Sequence, residues 1–185
     1  RHPLLIPPFT NDTLRRAVED YLAGGARKKD IVKKYGEINN WDVSNVTDMS
    51  IMFSSEEATF FNQPLNKWNV SKVTNMSYMF GGATSFNQPL DNWNVSKVTN
   101  MRGMFANATS FNQPLNNWNV SNVKTMVQMF DGATFFNQPL NNWNVSKVTS
   151  MDEMFNSASS FNQPLNKWNV SNVRYMEQMF RDASS

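Results

Sequence analysis

The sequence predicts an α/β solenoid of leucine-rich-repeat type, with one short parallel strand and one short helix per 25-residue repeat and a helical cap at its N-terminus. Three observations predict it. The stretch F-N-Q-P-L-N-x-W-N-V-S-x-V-x-x-M-x-x-M-F-x-x-A begins, with small variations, at Phe61, Phe86, Phe111, Phe136 and Phe161, each start 25 residues after the last. All six Trp fall at one position of this unit, and all twelve Met at two others. Inside it, Leu65-x-x-Trp68-x-Val70 reproduces the L-x-x-L-x-L spacing, with Trp and Val in the later Leu places.

Residues 1–36 do not repeat and read as an N-terminal segment and helical cap. Leu14, Ala17, Val18, Tyr21 and Leu22 recur at helical spacing, with Thr10 or Asn11 as the cap and Gly24-Gly25 as the stop. "RKKDIVKKYG" predicts a second short helix ending at Gly36. These helices would cover the open core of the first repeat.

Residues 37–185 hold about five and a half repeats. A partial copy runs from Glu37 to Phe53, with Ile38 in the Leu place, and is followed by a two-residue insertion. Trp68 and Val70 share a parity, which predicts a strand over about residues 66–70 that starts after Pro64. Val73, Met76, Met79, Phe80 and Ala83 lie on a single arc of about 120° at helical periodicity, which predicts an amphipathic helix capped by Ser71. Stacked in register, the repeats would put Trp on Trp, Phe on Phe and Met on Met. The strands would then form a concave sheet and the helices the convex side.

The composition supplies enough apolar material for a core, at 40% hydrophobic, and the net charge of +2 is too small to predict a nucleic-acid partner. No Cys is present, so neither a disulfide nor a thiolate site enters. No run of apolar residues is long enough to span a membrane. Beginning at Arg1, with the Pro-broken "HPLLIPPF" in place of a leader, the sequence reads as a mature form or an excised fragment.

Catalytic chemistry finds little to work with. His2 is the only His, and Asp91, Asp131, Asp152, Glu153 and Glu177 do not share a phase of the repeat. Gly81-Gly82 follows the predicted helix, where a phosphate loop would precede one. The chain is therefore read as no enzyme, with no cofactor and no metal site. Trp and Met at their fixed places read as core. Asn62 and Gln63, beside a turn, read as amides that satisfy the backbone from rung to rung.

The candidate site lies on the predicted concave face. Asn69, Asn94, Asn119, Asn144 and Asn169 stand between inward Trp and Val, and so point outward. Beside them run Lys67, Asn92, Asn117, Asn142 and Lys167. Together they form a flat polar lattice with a repeat of about 4.8 Å, suited to an extended partner, although a solvated sheet without a partner carries the same pattern. At the far end, "MFRDASS" leaves the last repeat uncovered, which suggests end-to-end self-association or a structural spacer as the alternative to binding.

W-N-V-S-x-V-x-x-M-x-x-M-F with F-N-Q-P-L at a 25-residue period resembles the BspA-like leucine-rich-repeat surface proteins, and among them the mycoplasma-lipoprotein-type repeat. The resemblance covers residues 37–185. It implies a cell-surface or secreted location, an adhesive role toward an extracellular protein or glycan, and no enzymatic activity. The lipid-attachment Cys of such proteins is not among these 185 residues.

Overall fold

A computed structural model describes residues 5–185; His2 lies outside the described residues. Helix α1, Asn11–Ala23, starts at Thr10, whose hydroxyl and the Thr13 side chain cap each other's backbone N–H groups, and it ends at Gly24. Helix α2, Gly25–Tyr35, follows at once and ends at Gly36. Leu14, Ala17, Val18 and Tyr21 bury one face of α1 against the first repeat. Among the described residues, no helix is long and apolar enough to cross a membrane.

The predicted strand and helix of each repeat do not form. Among residues 37–185 the only helical turns are Ile38–Asn40 and Glu56–Ala58, and pairing between repeats is limited to single parallel bridges. These join Asp48, Asn75, Asn100, Thr125, Ser150 and Tyr175 in sequence, within the segment read as a helix and not in residues 66–70. The leucine-rich-repeat solenoid expected from the spacing is therefore replaced by a stack of turn-built rungs.

The physical reason lies in the spacing itself. Val70, Val73, Met76 and Met79 are three residues apart, which suits successive tight turns as well as one face of a helix. Apolar residues form the turn corners, and several donate to the carbonyl of the corner three residues earlier: Trp68 to Leu65, Val73 to Val70, Met79 to Met76 and Ala83 to Phe80. Residues at the place of Tyr78 have φ of 52° to 59° in all six rungs, five of them non-glycine, and no right-handed helix continues through such a residue. Left-handed backbone costs about 1–2 kcal/mol for a non-glycine residue. Contacts that exist only between rungs offset that cost. The N–H groups of Met76, Tyr78, Phe80 and Gly82 donate to the carbonyls of Asn100, Arg102, Met104 and Ala106 in the next rung, at 2.7–2.9 Å.

Side chains join the rungs as well as the backbone. Each Trp indole donates to a carbonyl behind it, Trp93 to Leu65, Trp118 to Leu90 and Trp143 to Leu115, all at 2.8–2.9 Å. A Leu in that place would pack but would leave the carbonyl only the N–H of its own turn, with no side-chain bond from the next rung. Phe80, Phe105, Phe130 and Phe155 stack at 5.5–5.7 Å with rings within 7° of parallel. Phe86, Phe111, Phe136 and Phe161 form a second column at 6.0–6.1 Å. The Val, Met, Leu and Ala columns are likewise buried through the central rungs, and each large apolar side chain contributes about 1.5–3 kcal/mol on burial.

The outer surface is also built rung by rung. Tyr78 crosses Gly103 to reach Gln128 two rungs away, donating from its hydroxyl at 2.7 Å. A Cβ on Gly103 would lie 2.2 Å from the Tyr78 ring, so only glycine leaves room for that crossing.

Helix α1 replaces a missing rung ahead of the first. Asn11 Oδ1 accepts from the Thr47 N–H at 2.9 Å, and in later rungs the same N–H bonds to the preceding rung, as Thr99 does to Thr74. Arg15 donates to the Ser50 carbonyl at 2.6 Å and pairs with Asp48 at 3.1 Å. Two side chains thus supply the acceptor and the donor that a preceding backbone would. In the final rung, Met176 and Phe180 are 42% and 52% exposed, whereas Met151 and Phe155 are fully buried.

Candidate functional site

All ten predicted site residues are exposed, on a row of turns and not on a sheet. Asn69 Oδ1 accepts the Ser71 N–H at 3.1 Å, closing a turn two residues long. Asn94, Asn119, Asn144 and Asn169 repeat this with Ser96, Ser121, Ser146 and Ser171 at 3.0–3.1 Å. Position and chemistry therefore agree: the oxygen of each side chain is committed to the fold. Among the described residues, none of these five amide NH2 groups donates a hydrogen bond. Five identical donors face solvent, one per rung.

Asp42 occupies the same place in the first rung and closes the same turn, accepting from the Ser44 N–H at 3.1 Å and from the Ser44 hydroxyl. The Ser44 hydroxyl, and then its N–H, hold the Asp42 carboxyl below its usual range. The turn needs only the oxygen, and carboxylate serves as well as amide.

The second row behaves differently along its length. Lys67 donates its N–H to Asn39 Oδ1 at 3.0 Å, and Lys167 does the same to Asn141 at 2.9 Å. Asn92 is tied to the Asn66 carbonyl at 2.8 Å, whereas Asn117 and Asn142 make no side-chain hydrogen bond among the described residues. No hydrogen bond joins any two of the ten. They form a surface of parallel columns, not a convergent pocket.

Asn62 and Gln63 begin a separate structural ladder. Asn62 Oδ1 accepts from the Asn87 N–H at 2.9 Å, and Gln88 Nε2 reaches the Asn62 carbonyl and Oδ1, both at 3.1 Å. The pattern continues through Asn112 and Asn137 to Asn162. Here the amide oxygens pair with the neighbouring rung, whereas the Asn NH2 groups, like those of the Asn69 row, donate no hydrogen bond among the described residues.

The sequence reading passed over the cations three and five residues beyond the Asn69 row. Lys124, Lys147 and Arg174, with Thr149 and Asn172, line a surface depression of about 330 Å³. Sorting charges by repeat position would have found them. Among the described residues, no group of three His, Cys, Asp or Glu side chains is placed to hold a metal ion.

No curated protein and no solved structure matches the chain. A family described as "Mycoplasma protein of unknown function, DUF285" matches residues 26–134 and 114–185, which together span α2 and every rung. The chain, with its 25-residue rungs, belongs to that family.

Proposed function

We propose that the chain is a non-enzymatic binding module whose partner-facing surface is the row Asn69, Asn94, Asn119, Asn144 and Asn169 with its neighbours Lys67, Asn92, Asn117, Asn142 and Lys167. The observation that carries this reading is the division of labour within each side chain of the first row. One atom builds the turn, and the other, the amide nitrogen, is an unused donor repeated in register. Such a surface suits an extended protein or glycan held by many weak, equivalent hydrogen bonds. Within the family, the motif supports the narrower BspA-like reading, with a cell-surface or secreted location and an adhesive role.

Asn→Asp substitutions test this cleanly, because Asp42 already closes the same turn. The triple variant Asn94→Asp/Asn119→Asp/Asn144→Asp is expected to keep its melting temperature and to lose capture on an array of glycans and extracellular-matrix proteins. Retained capture at full strength refutes the site. The alternative reading, end-to-end association through the last rung, rests on the exposed Met176 and Phe180. Light scattering decides it: a mass that does not change with concentration removes it.

A further inference from the structure

From the second rung onward charge is segregated by position in the rung; in the first, the matching segment carries Asp42 and Asp48. Residues 67–75 and the matching segments 92–100, 117–125, 142–150 and 167–175 carry seven Lys or Arg and no Asp or Glu. All six acidic residues beyond Lys67 lie elsewhere in the repeat. Within these segments Lys72, Lys97, Lys124, Lys147 and Arg174 place one exposed cation on each of five successive rungs, in two columns two residues apart on either side of a Val. We propose that this stripe binds an extended anionic polysaccharide, with its sulfate or carboxylate groups on the five cations and its hydroxyls on the free amides of the asparagine row. The proposal rests on the reading of that row as the partner-facing surface.

Three features select this ligand. The stripe's charge is uncompensated: Lys72 and Lys147 reach only the neutral Asn45 and Asn122, at 3.1 and 2.9 Å, and no cation of the stripe pairs with a carboxylate. The equally basic α2 is different, since Arg27 pairs with Asp20 while Lys28 and Lys34 lie over the rings of Tyr21 and Tyr35. Next, the surface is rich in donors, combining ammonium and guanidinium groups with amides whose oxygens are already occupied, so it selects acceptors. Finally, binding of single-stranded nucleic acid uses a series of aromatic platforms. Within the five segments the central tryptophans are buried, and Tyr175, at one end, is the sole exposed aromatic side chain.

Immobilised heparin, a sulfated polysaccharide, is the probe. It is titrated with the 185-residue chain and with two variants that each lose five positive charges. One carries Gln at Lys72, Lys97, Lys124, Lys147 and Arg174; the other carries Gln at Arg16, Lys28, Lys29, Lys33 and Lys34. The expected result is saturable binding that weakens with salt, falls about tenfold or more in the stripe variant and holds in the helix variant. Circular dichroism checks the fold. If the five-site variant unfolds, Lys124→Gln/Lys147→Gln is read in its place, with a loss of about threefold expected.

Equal losses in both variants reduce the effect to net charge and overturn the proposal. Equal affinity for an oligothymidylate overturns the polysaccharide assignment. Absence of heparin binding overturns it as well. The asparagine reading still stands in that case if capture of another array partner is lost in the Asn→Asp variant, and the two failures are thereby told apart.

Discussion

Two asparagine columns run along the stack seven residues apart, and their side-chain oxygens take different partners. In the column of Asn62, Asn87, Asn112 and Asn137, the oxygen accepts from the backbone and the Gln of the following rung. In the column of Asn69, Asn94, Asn119 and Asn144, the oxygen stays within its own turn; in neither column does the nitrogen donate a hydrogen bond among the described residues. Residue identity and periodicity are the same in both. Which rung supplies the partner decides whether the amide oxygen ties two rungs together or closes a turn within one.

The largest expected effect breaks the first column. Asn112→Ala removes the acceptor for the Asn137 N–H and for Gln138 Nε2, and should cost about 2–3 kcal/mol, or roughly 4–10 °C in melting temperature. Asn119→Ala loses one local turn bond and should cost about 1 kcal/mol or less. Thermal melts that give the two variants equal losses would erase the distinction between the columns.

A middle-sized effect sharpens the same point with a non-amide donor. Trp118→Phe keeps an aromatic ring in the core but strips the indole donor from the Leu90 carbonyl, which is left with the Trp93 N–H of its own turn and no bond to the next rung. A loss of about 1–2 kcal/mol is expected by urea denaturation, and an unchanged midpoint would show that the indole bond adds nothing between rungs.

The smallest effect concerns Asp131, which donates nothing in its ionised form and accepts from Asn156 Nδ2 at 3.0 Å. Burial, and next the negative charge of Glu153, raise its carboxyl above the usual range, although the Asn156 bond works the other way. A carboxyl with a raised folded pKa favours folding when protonated, and that advantage disappears as pH rises through the folded value. Asp131→Asn should therefore raise the melting temperature at neutral pH by about 1 °C, since the site is partly screened by solvent. The gain should vanish below about pH 4, where Asp is protonated in both states. A gain that persists in acid would trace to packing and not to charge.

The repeat length, the register of the rungs and the identity of the buried columns were legible from spacing alone. Trp, Met, Val and Phe recur with no exchange against polar residues, and only a stacked core demands that. The N-terminal helices were legible for a similar reason: Thr10, Gly24 and Gly36 are local signals that act within one turn of chain. Exposure of the asparagine row followed from its place between buried Trp and Val.

What the turns would become was not legible. A spacing of three residues fits a helical face and a series of tight turns equally, and the choice rests on bonds to a rung 25 residues away. Left-handed residues such as Tyr78 and Gln128 carry no local mark, because neither side chain favours that conformation. The expected leucine-rich-repeat strand and helix failed for this one reason.

Sequence by itself determined the period, the core and the position of every charge, because these depend only on which residue stands where in the unit. Tertiary structure decided the backbone conformation and the partner of each amide oxygen, because both depend on which hydrogen-bonding partner the neighbouring rung holds out.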